Sequence, residues 1–306
     1  MGEEIAGSNP YRSRHHSTLS RSRSQHWYAH ADSTARALRY RPARRRHGSP
    51  PALPGAPGFD GDRDAVRARA LEDARRLADS GIDGLILENF GDAPFYPDDV
   101  PKHVVAEMTA IATDLTDAVD VPVGINVLRN DAEAALSIAA AVDAAFVRVN
   151  VHVGTAATDQ GVLEGRAHET LRLRDRLATD VAIFADVHVK HATPVGEQPI
   201  DRAALETVNR GKADGVIVSG PGTGVETPLA DIERVGDGLA AHGHDRVPVF
   251  VGSGVTSDTV GDCLAAGADG VIVGTALKTD GETTAPVASE RVADLVAAAR
   301  SSESEQ

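Results

Sequence analysis

The sequence predicts an α/β fold in which parallel strands close into a TIM-type (β/α)8 barrel of the phosphate-binding kind. Short apolar strands alternate with amphipathic helices, one pair in about 25–35 residues, and this order is typical of a parallel sheet. Strands such as Gly215-Val-Ile-Val218 are continuously apolar, as expected of strands covered on both faces. Polar residues end nearly every strand, whereas a doubly wound open sheet would gather them at one switch point behind a Gly-x-Gly-x-x-Gly motif.

The individual elements follow from hydrophobic periodicity and from turn residues at their ends. Helical spacing predicts helices over 64–78, 104–119, 131–142, 165–177, 201–210, 229–241, 258–266 and 287–300. Apolar runs predict strands over 84–89, 121–128, 145–150, 181–189, 215–219, 247–252 and 270–274. Seven strands are one short of an eightfold barrel.

Composition limits the classes of function. The chain has 306 residues and a net charge of −14, which argues against nucleic acid and anionic membranes as partners. Scarce lysine beside abundant acidic residues suggests an acidic, halophilic type of proteome. The single cysteine, Cys263, excludes an internal disulfide and a cysteine metal cluster. There is no apolar run long enough for a transmembrane helix and no apolar signal core, so we expect no membrane insertion and a cytoplasmic location.

Residues 1–51 differ from the rest of the chain. Residues 1–50 hold ten arginines and three acidic residues, a net charge of +7, so residues 51–306 carry −21. Hydrophobic periodicity is not sustained there. We therefore divide the chain into an N-terminal segment (1–51) that is disordered or out of frame, a barrel domain (52–300) and a disordered tail (301–306).

The stretch 184–191 places three ionisable groups at one strand end. Strict alternation would put Asp186, His188 and Lys190 on the same face of a strand. A polar edge strand facing water would explain them without any function. The same alternation in Arg148, Asn150 and His152 on the neighbouring strand favours a shared polar mouth, because parallel strand ends meet at one end of a barrel.

Candidate site residues are taken from these strand ends. Lys190, Asp186, His188 and Glu88 are the predicted catalytic residues. The predicted substrate-binding residues are Asn89, Asn126, Arg129, Arg148, Asn150 and His191. Lys190 would form a Schiff base or stabilise a developing enolate, and the acidic and imidazole groups would transfer protons. Arg129 and Arg148 would clamp an anion, or else pair with Asp131 or Glu88.

Glycine-rich loops follow the last three strands. Small residues let backbone N–H groups approach an anion, and barrels often hold phosphate at the loops after strands 7 and 8. The predicted phosphate-binding residues are Gly222, Thr223, Gly252, Ser253, Gly254, Gly274 and Thr275. Tight turns alone would also explain these glycines. No cofactor is predicted; a divalent metal on the carboxylate and imidazole groups stays open, although no ligand spacing supports it.

Several long motifs resemble the BtpA/SgcQ family over roughly 53–295. They include Asp83-Gly-Leu-Ile-Leu-Glu-Asn-Phe-Gly-Asp-Ala-Pro-Phe-Tyr-Pro97, Pro122-Val-Gly-Ile-Asn-Val-Leu-Arg-Asn-Asp131, Phe146-Val-Arg-Val-Asn150, Asp159-Gln-Gly161, Ala185-Asp-Val-His-Val-Lys-His191 and Gly252-Ser-Gly-Val-Thr256. The resemblance implies a phosphate-binding barrel. The family includes a cyanobacterial protein tied to photosystem I biogenesis and members labelled phosphoribosylanthranilate isomerase-like, and it carries no catalytic assignment.

The chain departs from this resemblance before Leu53. Similar proteins place a strand, Gly-Met-Val-His-Leu-Pro, there, whereas this chain has Arg46-His-Gly-Ser-Pro-Pro51. One coding of that peptide, CGG CAT GGT TCA CCT CCC, gives Gly-Met-Val-His-Leu when read one base later. We therefore predict an out-of-frame translation up to about residue 51 and a lost first strand. Sequencing the gene tests this, because an intact upstream frame without that peptide would refute it.

The predicted function is that of a barrel binding a small phosphorylated metabolite. If it is an enzyme, it is an isomerase or lyase of sugar-phosphate chemistry, similar to phosphoribosylanthranilate isomerase, or an aldolase. The alternatives are a non-catalytic assembly or stabilising factor and a regulatory sugar-phosphate binder. Formation of a homo-oligomer is left open.

Overall fold

The computed structural model describes residues 26–32, 51–220, 222 and 224–304, with the backbone alone for 26–32. The helices are α1 Arg63–Asp79, α2 Lys102–Ala118, α3 Ala132–Ala141, α4 Ala167–Leu177, α5 Ile200–Asn209, α6 Leu229–Ala240, α7 Val260–Ala265 and α8 Ser289–Ser304. The strands are β1 His26–Asp32, β2 Gly84–Glu88, β3 Val123–Asn126, β4 Phe146–Val149, β5 Thr155–Thr158, β6 Gly161–Glu164, β7 Ala182–Val187, β8 Ala192–Pro194, β9 Gly215–Val218, β10 Val249–Val251 and β11 Gly270–Val273.

Seven of these strands are the seven that the sequence predicts, and they form one curled parallel sheet. Their order is β2-β3-β4-β7-β9-β10-β11, so each strand pairs with its neighbour along the predicted series. The α/β barrel prediction is therefore confirmed. Each helix packs its apolar side on the outside of the sheet, in a large core that includes Leu85, Val147 and Val216.

The first strand that the sequence predicts to be lost would stand directly before Leu53, and residues 33–50 lie outside the described residues. The eighth place in the ring is taken by the backbone of β1. His26–Asp32 pairs in parallel with β11 on one side and β2 on the other, which closes the barrel. A parallel sheet with an empty position exposes two rows of unpaired backbone groups, and an extended segment satisfies them whatever its side chains are. The reading-frame prediction concerns the gene and stays a prediction.

The barrel interior is filled by one apolar layer. Its members alternate with the outward-facing residues of the same strands: Ile86, Phe146, Phe184, Ile217, Phe250 and Ile272. The Phe184 ring lies between the other two rings, with centroids 4.9 Å from Phe146 and 5.0 Å from Phe250. Gly124 makes room for them, since a methyl group there would lie 2.1 Å from the Phe146 ring. This layer forms the floor of the barrel mouth.

A small antiparallel sheet beside the mouth was not predicted. It joins β6, β5 and β8, which come from the loops after β4 and β7. Arg129 fastens the tip of its hairpin: its Nε donates to Gln160 at 2.8 Å, its Nη2 lies 3.3 Å from Asp159, and its guanidinium stacks 4.9 Å from the Phe95 ring centre. Short strands with exposed, alternating small residues gave no clear period to read.

A buried charge cluster joins the first helix to the end of the barrel. Asp73 on α1 accepts from Arg69 at 2.8 Å, from Lys278 at 3.2 Å and from the backbone N–H of Val287 at 3.0 Å. All three side chains are at most 1% exposed. Burial raises the pKa of Asp73 despite its two cationic neighbours. Lys278, which follows the last strand, thus lies in this cluster.

No helix among the described residues is both long enough and apolar enough to span a bilayer.

Candidate functional site

A polar layer lies directly above the apolar floor of the barrel. It consists of the residues two positions further along each strand, which face inward for the same reason of alternation. These residues are Glu88, Asn126, Arg148, Asp186, Ser219, Gly252 and Gly274. The strand register places Glu88 beside Asn126 and puts β7, which carries Asp186, next to β4 and β9. The strand ends that the sequence singled out therefore do converge.

Arg148 and Asp186 form a closed ion pair in this layer. Two parallel bonds of 2.9 Å join Nε and Nη2 of Arg148 to the two carboxylate oxygens, and both side chains are at most 1% exposed. Asn150 donates to the same carboxylate at 3.1 Å and Ser219 donates at 3.3 Å. Burial disfavours the charged guanidinium, but the Asp186 carboxylate, with Glu88 behind it, holds the pKa of Arg148 above its usual value.

This geometry places Asp186 differently from the catalytic role predicted for it. Four donors occupy its two oxygens, so the carboxylate balances the charge of Arg148 and orients Asn150. Arg148 in turn pairs with Asp186 and not with Asp131, which caps α3 and accepts from Val100 at 2.7 Å. Their roles toward a ligand stay predictions.

The prediction that Asp186, His188 and Lys190 share one face is wrong. Strand β7 ends at Val187, and His188 takes a left-handed backbone conformation with φ of 53°. A strand alternates only while its backbone stays extended. His188 therefore lies with Asp186 and Asn150 around a small cavity under the β5–β6–β8 sheet, while Lys190 lines a different cavity. Burial lowers the pKa of His188, which favours the neutral imidazole.

The cavity that Lys190 lines is the main candidate site. It has a volume of about 310 Å³ and brings together Glu88, Lys190, the loop Gly252–Gly254 and the loop Gly274–Thr275. These elements are separated by up to 187 residues in the chain, and they meet at the carboxyl end of the barrel. The catalytic candidates Glu88 and Lys190 and five of the phosphate candidates thus share one cavity.

Two glycines of this cavity, Gly252 and Gly254, are required by close packing. A methyl group on Gly254, whose φ is +71°, would lie 2.5 Å from backbone atoms of Glu226 and Val225. A methyl group on Gly252 would lie 2.7 Å from Ile217 and from the Ser219 hydroxyl, and 3.6 Å from Arg148. Gly252 is therefore a thin wall between the cavity and the Arg148–Asp186 pair. Backbone rather than side chains forms this side of the cavity.

The hydroxyl groups of the two loops are held by neighbouring loops. Ser253 donates to the carbonyl of Gly222 at 2.7 Å, and the Thr275 and Thr283 hydroxyls lie 2.9 Å apart. Gly222 therefore binds the Ser253 side chain and does not itself line the cavity. Thr223 lies outside the described residues.

Glu88 is the carboxylate of the cavity. It is 4% exposed, and Asn126 donates to its Oε1. Asn126 is itself 1% exposed, so it acts through Glu88 by fixing the carboxylate. A buried, oriented carboxylate beside a cavity is a suitable proton acceptor.

Other predicted substrate-binding residues serve the surrounding loops. Asn89 accepts from the N–H of Leu128 at 2.7 Å and donates to Asp92 at 3.1 Å. Arg129 holds the hairpin tip. His191 is exposed and lies outside the cavity lining.

His152 is another predicted strand-end residue that does not line the candidate cavity. Its Nε2 lies 2.8 Å from the carbonyl of Gly211, which makes Nε2 the donor, and the ring is 1% exposed. Burial lowers its pKa. This histidine therefore stays neutral and binds the turn after α5.

Several residues of the cavity lining were not predicted from the sequence, among them Phe90, Thr283 and Arg291. Phe90 follows β2, while Thr283 and Arg291 come from the segment after the last strand. Strand-end patterns carry no signal for them, because Arg291 lies on α8 and Thr283 in an irregular loop. Within the described residues, no three His, Cys, Asp or Glu side chains are grouped as a metal site would need.

Solved structures with a similar fold include thiamine phosphate pyrophosphorylase from Pyrococcus furiosus, with a TM-score of 0.55, 14% identity and coverage of 92% of this chain and 98% of that chain. A structure titled native KDPGal has a TM-score of 0.53, 13% identity and coverage of 91% and 96%. N-(5'-phosphoribosyl)anthranilate isomerase from Pyrococcus furiosus has a TM-score of 0.51, 14% identity and coverage of 76% and 94%. At these identities the comparison shows the barrel fold alone.

Curated relatives are closer in sequence. The photosystem I biogenesis protein BtpA of Synechocystis is 47% identical over 246 residues, covering 80% of this chain and 84% of that protein. An uncharacterized protein of Thermococcus kodakarensis is 47% identical over 248 residues, covering 81% and 91%. A model of the BtpA family matches residues 49–301, which include every strand from β2 to β11 and both glycine loops. The chain therefore belongs to the BtpA family.

Proposed function

We propose that the cavity at the barrel mouth binds a small phosphorylated carbonyl compound and catalyses an isomerase, lyase or aldolase type of reaction on it. The supporting observation is the joint lining of one cavity of about 310 Å³ by Glu88, Lys190 and the glycine loops. Such a cavity offers an anion site at one side and an acid–base pair at the other. Its volume is at the lower end of small-molecule sites, about 300–1,000 Å³, which favours a small ligand over a dinucleotide.

Glu88 and Lys190 would divide the chemistry between them. Isomerisation and retro-aldol cleavage both develop negative charge on a carbonyl oxygen, and a nearby ammonium stabilises that charge. Glu88 would take or return the proton on carbon, with its orientation set by Asn126. Alternatively, the Lys190 amine condenses with the carbonyl to an imine and releases water.

The Arg148–Asp186 pair supports this site from behind. Gly252 separates the pair from the cavity, and the net charge of the pair is close to zero. We propose that it fixes the strand ends of β4 and β7 while Glu88 and Lys190 contact the ligand. In this assignment Asp186 is a positioning residue.

The test is a screen of phosphorylated metabolites for thermal stabilisation and for turnover followed by NMR. Replacing Lys190 by alanine should abolish stabilisation by the hit and lower turnover by about 10²–10⁴-fold. Lys102→Ala is the matched control, since Lys102 is exposed at the start of α2 and lies outside the cavity lining. Borohydride trapping of the hit on Lys190 would distinguish the imine from simple charge stabilisation.

A non-catalytic role is the second candidate. It is favoured by the 47% identity to a relative whose name refers to photosystem I biogenesis. An assembly or stabilising factor would show no ligand stabilisation and would tolerate Lys190→Ala. A regulatory binder would show stabilisation that is sensitive to Lys190→Ala, without turnover. Either pattern would contradict the enzymatic proposal.

A further inference from the structure

The cavity has a cation that the strand ends do not supply. Arg291, on α8, lines the same cavity as Glu88 and Lys190, together with Thr275 and Thr283. We propose that Arg291 is the side chain that recognises the phosphate, which makes the ligand a phosphomonoester. This inference rests on the proposed function and adds a recognition residue and a ligand class to it.

The polar partners of Arg291 leave its charge available. Arg291 donates a hydrogen bond from Nη1 to the carbonyl of Ala276, at 3.4 Å. Among the described residues, no carboxylate lies within ion-pair distance of Arg291, in a chain with 45 acidic residues. The Ala276 carbonyl uses one of the five N–H donors of a guanidinium. The remaining donors suit an oxyanion in the cavity.

The position of Arg291 in its helix is otherwise unfavourable. It is the third residue of α8, Ser289–Ser304. The first turn of a helix carries the positive end of the helix dipole, which disfavours a cation and favours an anion. A phosphate beside this turn would reverse that penalty, because it attracts both the guanidinium and the helix end.

The wall that carries Arg291 is continuous with the glycine corner. The hydroxyls of Thr275 and Thr283 lie 2.9 Å apart, and Ala276, whose carbonyl binds Arg291, lies between Thr275 and the rest of its 3₁₀ turn, Thr275–Leu277. The turn Gly274–Ala276 and Arg291 therefore line one space. Backbone donors and a planar fork together match the three free oxygens of a phosphomonoester better than the two of a carboxylate.

The charge balance of the cavity points the same way. Its ionisable lining is Glu88, Lys190 and Arg291, two cations against one carboxylate. A phosphomonoester carries about −1.5 to −2 charges at neutral pH. Its binding would thus neutralise a cavity that is positive within a strongly acidic protein.

Binding of inorganic phosphate and of glycerol 3-phosphate to the full chain, measured by calorimetry and ³¹P NMR, tests this inference. Arg291→Ala should weaken both by about 10- to 100-fold, as expected for loss of a charged hydrogen bond. Arg291→Lys should recover part of the affinity, since it keeps the charge and loses the fork. Because Arg291 is exposed, its variants should unfold at the wild-type temperature without ligand.

Arg300→Ala is the matched control, because Arg300 is an exposed arginine on the same helix and lies outside the cavity lining. Equal affinities of Arg291→Ala and wild type would overturn the inference, and so would an equal loss in Arg300→Ala, which would reveal unspecific charge attraction. If wild type binds neither probe, the phosphate site of the proposed function fails as well. Binding that depends on Lys190 but not on Arg291 would refute only the role of Arg291.

Discussion

The two sides of the barrel mouth use polar groups in opposite ways. On the β4–β7–β9 side, Arg148, Asn150 and Ser219 all donate to the Asp186 carboxylate, so its two oxygens are occupied by protein groups. On the β10–β11 side, glycine loops leave an open cavity of about 310 Å³. Polar residues at strand ends are therefore insufficient to locate a binding site. The candidate cavity lies where the side chains of the polar layer become small and leave room for a ligand.

The largest effect on stability should come from removing one partner of the buried ion pair on the β4–β7–β9 side of the mouth. Arg148→Ala would leave the Asp186 carboxylate buried without its partner, and we expect a loss of about 3–5 kcal/mol in the free energy of unfolding. Urea denaturation measures this. The double variant Arg148→Met/Asp186→Leu should recover most of the loss, because it removes both buried charges.

A loss below about 1 kcal/mol in Arg148→Ala would mean that water or Asn150 compensates the carboxylate, and the two sides would then differ less than we infer. Arg67→Ala, which removes an arginine from a partly exposed ion pair with Asp114, is the control. It should cost at most about 1 kcal/mol.

A smaller effect on stability is expected from adding a methyl group to a glycine loop on the β10–β11 side of the mouth. Gly254→Ala adds a methyl group in a left-handed conformation, 2.5 Å from the backbone of Glu226. We expect a cost of about 2–3 kcal/mol and loss of phosphate binding, since the loop must move. Thermal unfolding and phosphate calorimetry measure the two effects.

Gly267→Ala separates crowding from backbone strain. Gly267 has φ of +96°, and a methyl group there meets no atom within 4 Å. This variant should cost about 1 kcal/mol and keep phosphate binding. Equal behaviour of the two variants would show that conformation alone, and not close packing at the cavity, requires Gly254.

The smallest effect concerns the contribution of His152 to the pH dependence of the free energy of unfolding. Burial lowers the pKa of His152 in the folded state below the ordinary value of about 6.5. The unfolded chain then binds a proton first, so the stability due to neutral His152 is full above about pH 6.5 and is lost as the pH falls. His152→Phe should flatten this decline between about pH 6.5 and 5.5, as measured by urea unfolding at each pH.

The exposed His168 provides the control for this titration. His168→Phe should leave the slope of stability against pH as in wild type. If both variants have the wild-type slope, His152 is not the group that titrates, and the half-buried His188 becomes the next one to replace.

Period-two alternation was sufficient to find the inward-facing layer from the sequence. The sequence singled out Glu88, Arg148 and Asp186 at the strand ends, and each of them lies two residues after a member of the apolar interior layer, Ile86, Phe146 and Phe184. This reasoning works because strand geometry repeats and because apolar runs mark both ends of each strand.

The same reasoning failed where the backbone left the strand. The left-handed φ values of His188 and His191, 53° and 58°, depend on tertiary packing and have no local signal in non-glycine residues. Arg291 belongs to a helix after the last strand, so no strand-end pattern includes it. The place of β1 depended on unpaired sheet edges, a property of the whole barrel that no single segment contains.

The Arg69–Asp73–Lys278 cluster has a consequence for how the ring of strands can open. It joins the first helix to the segment that follows β11, in the buried layer outside the ring of strands, and the bonds of the cluster involve no residue of β1. Detachment of β1 would therefore leave its two neighbours tethered across the gap by their flanking segments. The two free sheet edges would then stay close together, so that β1 could pair with both of them again.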